Sequence, residues 1–102
     1  MIDPREYAHN LGVVLEGHRS GRVLWIDQLL VPPEQRGQGL GTEVVQYLER
    51  WARRHGITKL RLYAADEGLG RSNVFWELMG FDYDCPDCEE YEEAAWYMSR
   101  QL

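Results

Sequence analysis

Between residues 31 and 42 the chain reads Val31-Pro32-Pro33-Glu34-Gln35-Arg36-Gly37-Gln38-Gly39-Leu40-Gly41-Thr42, a stretch that few folds can accommodate. Neither proline can donate to a sheet ladder, so a strand arriving from residues 22–31 must end there. Three glycines at alternate positions follow, and then a helix: Val44, Val45, Leu48, Trp51, Ala52 and His55 recur at three- and four-residue spacing. Glu43, Gln46, Glu49, Arg50 and Arg53 fall on its outer face, and Gly56 is its stop. A strand that runs through a glycine-rich turn into a helix is an anion-binding arrangement. The first-turn N–H groups lack intrahelical partners, and the helix dipole puts partial positive charge at the same point.

Phosphate binders that share this logic separate by spacing. A P-loop requires Gly-Lys-Ser/Thr, but Thr42 follows Gly41 directly. The dinucleotide fingerprint would place its third glycine at 42, where Thr42 stands. What remains is Arg-Gly-x-Gly-x-Gly after a Val-Pro strand end.

The rest of the chain supplies the sheet. Residues 9–16 (HNLGVVLE) read as a strand closed by the turn-rich GHRSG at 17–21. Residues 22–31 (RVLWIDQLLV) are nearly continuous apolar sequence, the pattern of a buried central strand. Residues 59–64 (KLRLYA) alternate as a strand, 71–79 read as a short helix ending at Gly80, 81–84 begin another strand, and 94–99 (AAWYMS) form a last one. The order is β-β-α-β-α-β-β, an α/β fold with a sheet of mixed strand direction.

Composition excludes several classes. The chain has 102 residues, enough for one domain, with 44% hydrophobic and 27% charged residues, so it is not a disordered chain. No apolar run approaches the ~18 residues of a membrane span, and MIDPREYAHN lacks the apolar centre of a signal peptide, which implies a cytoplasmic protein. The net charge of −6 is local: residues 1–81 hold ten acids and ten bases, whereas 82–93 (DYDCPDCEEYEE) hold seven acids and no base. Nonspecific nucleic-acid binding needs clustered Lys and Arg, and a balanced body with an acidic end argues against it. The two cysteines form one CPDC, Cys85 and Cys88, with no second pair to complete a zinc site, so no metal is expected and they read as structural or incidental, the alternative being a redox pair or a metal shared between subunits.

With these residues in view, the sequence resembles the GNAT-type acetyltransferase superfamily. The stretch from Val31 to Gly41 is similar to that family's acetyl-CoA pyrophosphate loop, and Glu49-Arg50-Trp51-Ala52 with Gly56 resembles the helix that follows it. A second signature is similar at Phe75-Trp76-Glu77-Leu78-Met79-Gly80-Phe81, and together the motifs cover roughly residues 23–83. The resemblance implies a mostly antiparallel, splayed sheet with flanking helices and the pantetheine arm between two strands. Backbone groups of Leu29 and Val31 would pair with pantetheine, and N–H groups of Arg36, Gly37, Gln38, Gly39, Leu40, Gly41 and Thr42 would hold the pyrophosphate. Trp76 takes the place of the family's usual tyrosine, and an indole N–H donates a hydrogen bond but is no general acid. The family's usual asparagine falls at Leu69, with Asn73 offset. Only about twenty residues precede Arg22, so the strand and two helices that open the family's fold are expected to be absent.

The resemblance implies an N-acetyltransferase with acetyl-CoA as donor and the amine of a small molecule or protein as acceptor. Asp27 is the candidate for removing the amine proton or anchoring the acceptor, or else a hydrogen-bonded strand aspartate. Tyr63 and Tyr83 are candidates for protonating the departing thiolate. Trp25, Trp51, Phe75 and Phe81 are expected in the core. The alternative is an acyl-CoA-binding sensor or interaction module without transfer. An open sheet face also predicts a homodimer.

Overall fold

A computed structural model describes residues 1–63, 71–83 and 97–102, with the backbone alone at 71–73 and 83. The elements are α1 (Pro4–Asn10), β1 (Val14–Ser20), β2 (Val23–Leu30), a single 3₁₀ turn (Pro33–Gln35), α2 (Leu40–Arg54), β3 (Lys59–Tyr63), α3 (Arg71–Leu78), β4 (Asp82–Tyr83) and β5 (Tyr97–Gln101). One sheet runs β1-β2-β3-β5-β4. Only β2 and β3 are parallel, as the intervening α2 crossover requires, and the other neighbours are antiparallel. This is the mixed, mostly antiparallel α/β sheet that the sequence implies.

The strands part where the motif demands it. β2 and β3 pair over four rows only, from Val23–Lys59 to Ile26–Leu62, although β2 continues to Leu30. Beyond Ile26 the described residues give β2 no partner on that side.

The N-terminal segment departs from expectation. Residues 9 and 10 end a helix instead of starting a strand, and β1 begins at Val14. Asp3 caps α1 by accepting from the Arg5 amide at 2.8 Å, and Pro4 occupies the first turn, where its missing N–H is no loss. The short polar-apolar mixture of residues 4–10 hides this helix from a periodicity reading. The stretch 17–20, turn-rich by composition, is strand, and the hairpin turns at Gly21 with φ near +62°. Nor is β2 central: it lies second from the edge, with Leu24 and Ile26 buried and Asp27, Gln28 and Leu30 exposed.

Contacts between aromatic rings dock α1 on α2. The Tyr7 and Tyr47 rings stack at 3.8 Å, Tyr7 Oη donates to the Glu43 carboxylate at 2.9 Å, and Tyr47 Oη donates to the Ile2 carbonyl at 2.6 Å. The hydrogen bond to Glu43 raises the Tyr7 pKa above the ordinary phenol value. All three helices feed one core. Ala8 of α1, Val45 and Leu48 of α2 and Trp76 of α3 join Leu60 and Met98 in a single cluster on one side of the sheet.

Glu49 overturns a second expectation. Placed on the outer helix face by its spacing, it is 6% exposed and paired with Arg100, whose Nη1 also donates to the Met79 carbonyl at 2.7 Å. A carboxylate tolerates this burial only because a guanidinium from β5 reaches it. No helix among the described residues is long and apolar enough to cross a membrane, and no group of acids, histidines or cysteines there could hold a metal. Cys85, Cys88, Leu69 and the acidic stretch beyond Tyr83 lie outside the described residues, as do residues 94–96 of the expected last strand and the side chains of Asn73 and Tyr83.

Candidate functional site

The end of β2, the glycine loop, the start of α2 and Phe75 of α3 enclose a cleft of about 510 Å³ lined by Leu29, Leu30, Val31, Gln35, Arg36, Gly37, Gly39, Leu40, Gly41, Thr42 and Phe75. Its three glycines have different jobs. Gly37 and Gly39 sit at φ near +84° and +76°, a left-handed conformation that other residues adopt at a cost, and a Cβ on either would meet no atom within 4 Å. They leave open space above the start of α2. A Cβ on Gly41 would instead press on the Phe75 ring at 3.3 Å, so this glycine lets α3 approach α2.

Gly39 is the N-cap of α2 and provides no side-chain cap. The first-turn N–H groups therefore face the cleft, where an anion can take them up. Arg36 turns back to donate from Nε to the Val31 carbonyl at 3.2 Å, which pins the loop to the end of β2. The cradle fits a pyrophosphate, and the apolar wall of Leu29, Val31, Leu40 and Phe75 fits an extended arm running along β2.

A bulge turns Leu29 into that wall. Glu16 faces Gln28 and Gly17 faces Ile26, so Asp27 is the extra residue on β2. Strand alternation is reset past it, and Leu29 comes to share a face with buried Leu15. Gly17 allows the close approach: a Cβ there would lie 2.5 Å from the Trp25 carbonyl oxygen. Gly17→Ala is expected to destabilise the protein by about 2 kcal/mol through overpacking, read as a lower midpoint in urea.

The predicted residues fall into two groups. Leu29, Val31, Arg36, Gly37, Gly39, Leu40, Gly41 and Thr42 all line the cleft; Gln38 belongs to the same loop and is not among the lining residues. Trp76 is buried behind the wall, edge-on to Phe75 and Phe81. Phe75, expected in the core, is the ring that reaches the cleft. The sequence directs attention to its neighbour Trp76 instead, because that residue stands where the family has tyrosine.

Asp27 and Tyr63 stand at the apex. Ile26–Leu62 is the last paired row, so these are the next residues on either strand. Asp27 is exposed, not buried, and its carboxylate is 2.7 Å from Nδ1 of His18. Tyr63 is half-exposed and packs on the Tyr97 ring at 5.0 Å. His18 lies parallel to Trp25, Tyr97 meets Trp25 edge-on, and the Arg61 guanidinium sits 4.6 Å over the Trp25 ring. Sequence reasoning missed His18, which looked like a lone histidine in a turn.

The profile of the acetyltransferase (GNAT) family matches residues 7–81. The chain belongs to this family. Among solved structures, this GNAT chain is similar to Ard1 from Thermoplasma volcanium, with a TM-score of 0.69 and 18% identity over 88% of this chain and 62% of that one. It is also similar to the PaiA N-acetyltransferase from Thermoplasma acidophilum in complex with coenzyme A, at 0.70 and 20% over 88% and 53%. The ribosomal-protein-S18-alanine N-acetyltransferase from Escherichia coli gives 0.69 and 15% over 88% and 61%. At such identities the likeness shows the GNAT fold. The chain spans about three fifths of the Ard1 structure's length. No curated protein matches it.

Proposed function

We propose that this protein is an acetyl-CoA-dependent N-acetyltransferase acting on a primary amine of a small molecule or protein. The observation that carries the reading is the alignment of cradle and apex along β2: the uncapped start of α2 at one end, Asp27 and Tyr63 flanking the point of strand separation at the other. The glycine loop holds the pyrophosphate, and Leu29 and Val31 offer backbone groups and apolar surface to the arm. Asp27 marks the end of β2 at which the attacking amine must lose its proton, and Tyr63 donates to the sulfur as it leaves. Trp76 supports the wall by packing under Phe75.

The test combines binding with turnover. Acetyl-CoA and CoA are expected to raise the melting temperature, and a panel of alkyl amines, polyamines and peptides with free N-termini is expected to contain one that accelerates thiol release. Binding without any amine-dependent release would instead support the acyl-CoA-binding module, which the buried indole at position 76 favours.

The same reading includes a homodimer. Val14, Leu30 and Tyr63 are large exposed apolar side chains, and among the described residues β1 pairs on one side only. Sedimentation equilibrium at micromolar concentration should give twice the 12.0 kDa chain mass; a monomer would reject it.

A further inference from the structure

We infer that His18 is the group that takes the proton from the acceptor amine, with Asp27 as its positioning residue; the inference rests on the acetyl-transfer reading above. A carboxylate can only accept a hydrogen bond, so the 2.7 Å contact from Asp27 requires the proton of neutral His18 to sit on Nδ1. Nε2 then carries the lone pair. Most of the His18 side chain, 58%, is open to solvent, and the parallel Trp25 ring beside it fixes its plane. A neutral imidazole held by a carboxylate, with the far nitrogen free, is an arrangement suited to accepting a proton.

Position supports the assignment as strongly as chemistry. His18 pairs across the sheet with Trp25, and Trp25 pairs with Arg61, one row before the strands separate. Asp27, at the bulge, is the extra residue between that row and the cleft wall at Leu29. His18 lines a pocket next to the cleft rather than the cleft itself, so an arm that follows β2 back from Leu29 meets Asp27 first, and Asp27 has one carboxylate oxygen committed to His18. The other charged groups about the histidine are Glu16 and Arg19 on its own strand, Asp3 and Arg5 at the start of α1, which line the same pocket, and Arg61 on β3, held over Trp25; Tyr97 of β5 closes the same surface.

The step balances without a further reactant. The amine lone pair attacks the thioester carbonyl carbon and forms the C–N bond, and Nε2 of His18 takes the proton released from nitrogen. The C–S bond breaks with its electron pair staying on sulfur, and the imidazolium returns its proton to solvent or to the thiolate.

The test uses the whole chain, acetyl-CoA and the fastest amine of the panel. His18→Gln keeps a polar side chain that cannot take a proton, and kcat should fall about 100-fold or more. CoA affinity, measured by calorimetry, should stay within about threefold of wild type because the loop is untouched. Asp27→Asn presents its amide to Nδ1 and should move the imidazole proton to Nε2, with a comparable loss of kcat. Imidazole ¹⁵N spectra should show Nδ1–H in the wild type and Nε2–H in Asp27→Asn, a change that a merely structural pair would not require. An active wild type with His18→Gln within about threefold of it, or with Nε2–H at neutral pH, overturns the dyad alone. A wild type that binds CoA but releases no thiol with any amine overturns the transferase reading and this one together.

Discussion

Gly39→Glu is expected to abolish stabilisation by CoA. Saturating ligand at about 100 times its Kd adds roughly 2.7 kcal/mol to a native state that alone binds it, which for a domain of this size corresponds to a melting shift of about 10 °C or more. The glutamate would place a carboxylate in the open space at the α2 N-cap, where it would occupy the amides and repel the pyrophosphate. The left-handed backbone at this position adds strain, so Gly39→Asn is the matched control, because asparagine tolerates that conformation and carries no charge. Asn should keep most of the shift and Glu none. Equal shifts in wild type and Gly39→Glu would move the binding site away from the loop.

Glu49→Ala should strongly destabilise the fold. It leaves the Arg100 guanidinium without its buried partner, at a cost of roughly 3 kcal/mol, set toward the lower end because Arg100 keeps 28% of its side chain in solvent. That is a large share of the ~5–15 kcal/mol that holds a typical domain together. The double replacement Glu49→Leu with Arg100→Met should recover most of the loss, since it removes both charges and fills the space. Urea denaturation of the three proteins measures it; a single mutant as stable as wild type would mean the pair is solvated.

The loop and the helix after it were legible because their constraints are local. Prolines that cannot pair, glycines at alternate positions and a regular apolar stripe each act within a few residues, and the structure places them as read. The failures share the opposite property. Glu49 looked like an outer-face residue because the arginine that permits its burial arrives from β5, fifty-one positions later. His18 had no partner in the sequence, since its link to Asp27 exists only after the hairpin closes with a bulge. Stretch 17–20 read as a turn because its glycine, histidine and serine are turn formers, yet Gly17 is a strand residue chosen for clearance against Trp25. Helix α1 is the exception, a local signal that the sequence does carry. Asp3 before Pro4 is a helix-start pattern, but seven residues are too few to display a regular apolar stripe.

The one-sided core has a consequence for how such a protein can change. Helices α1, α2 and α3 all gather their buried side chains on the same side of the sheet, and His18, Trp25, Tyr63 and Tyr97 project from the other. Among the described residues, that second surface contributes none of the fully buried members of the core cluster. On the transfer reading proposed above, preference for one amine over another can therefore drift through substitutions at Trp25 and Tyr97 while the donor cradle, His18 and Tyr63 stay in place, and a library restricted to those two positions should remain largely soluble.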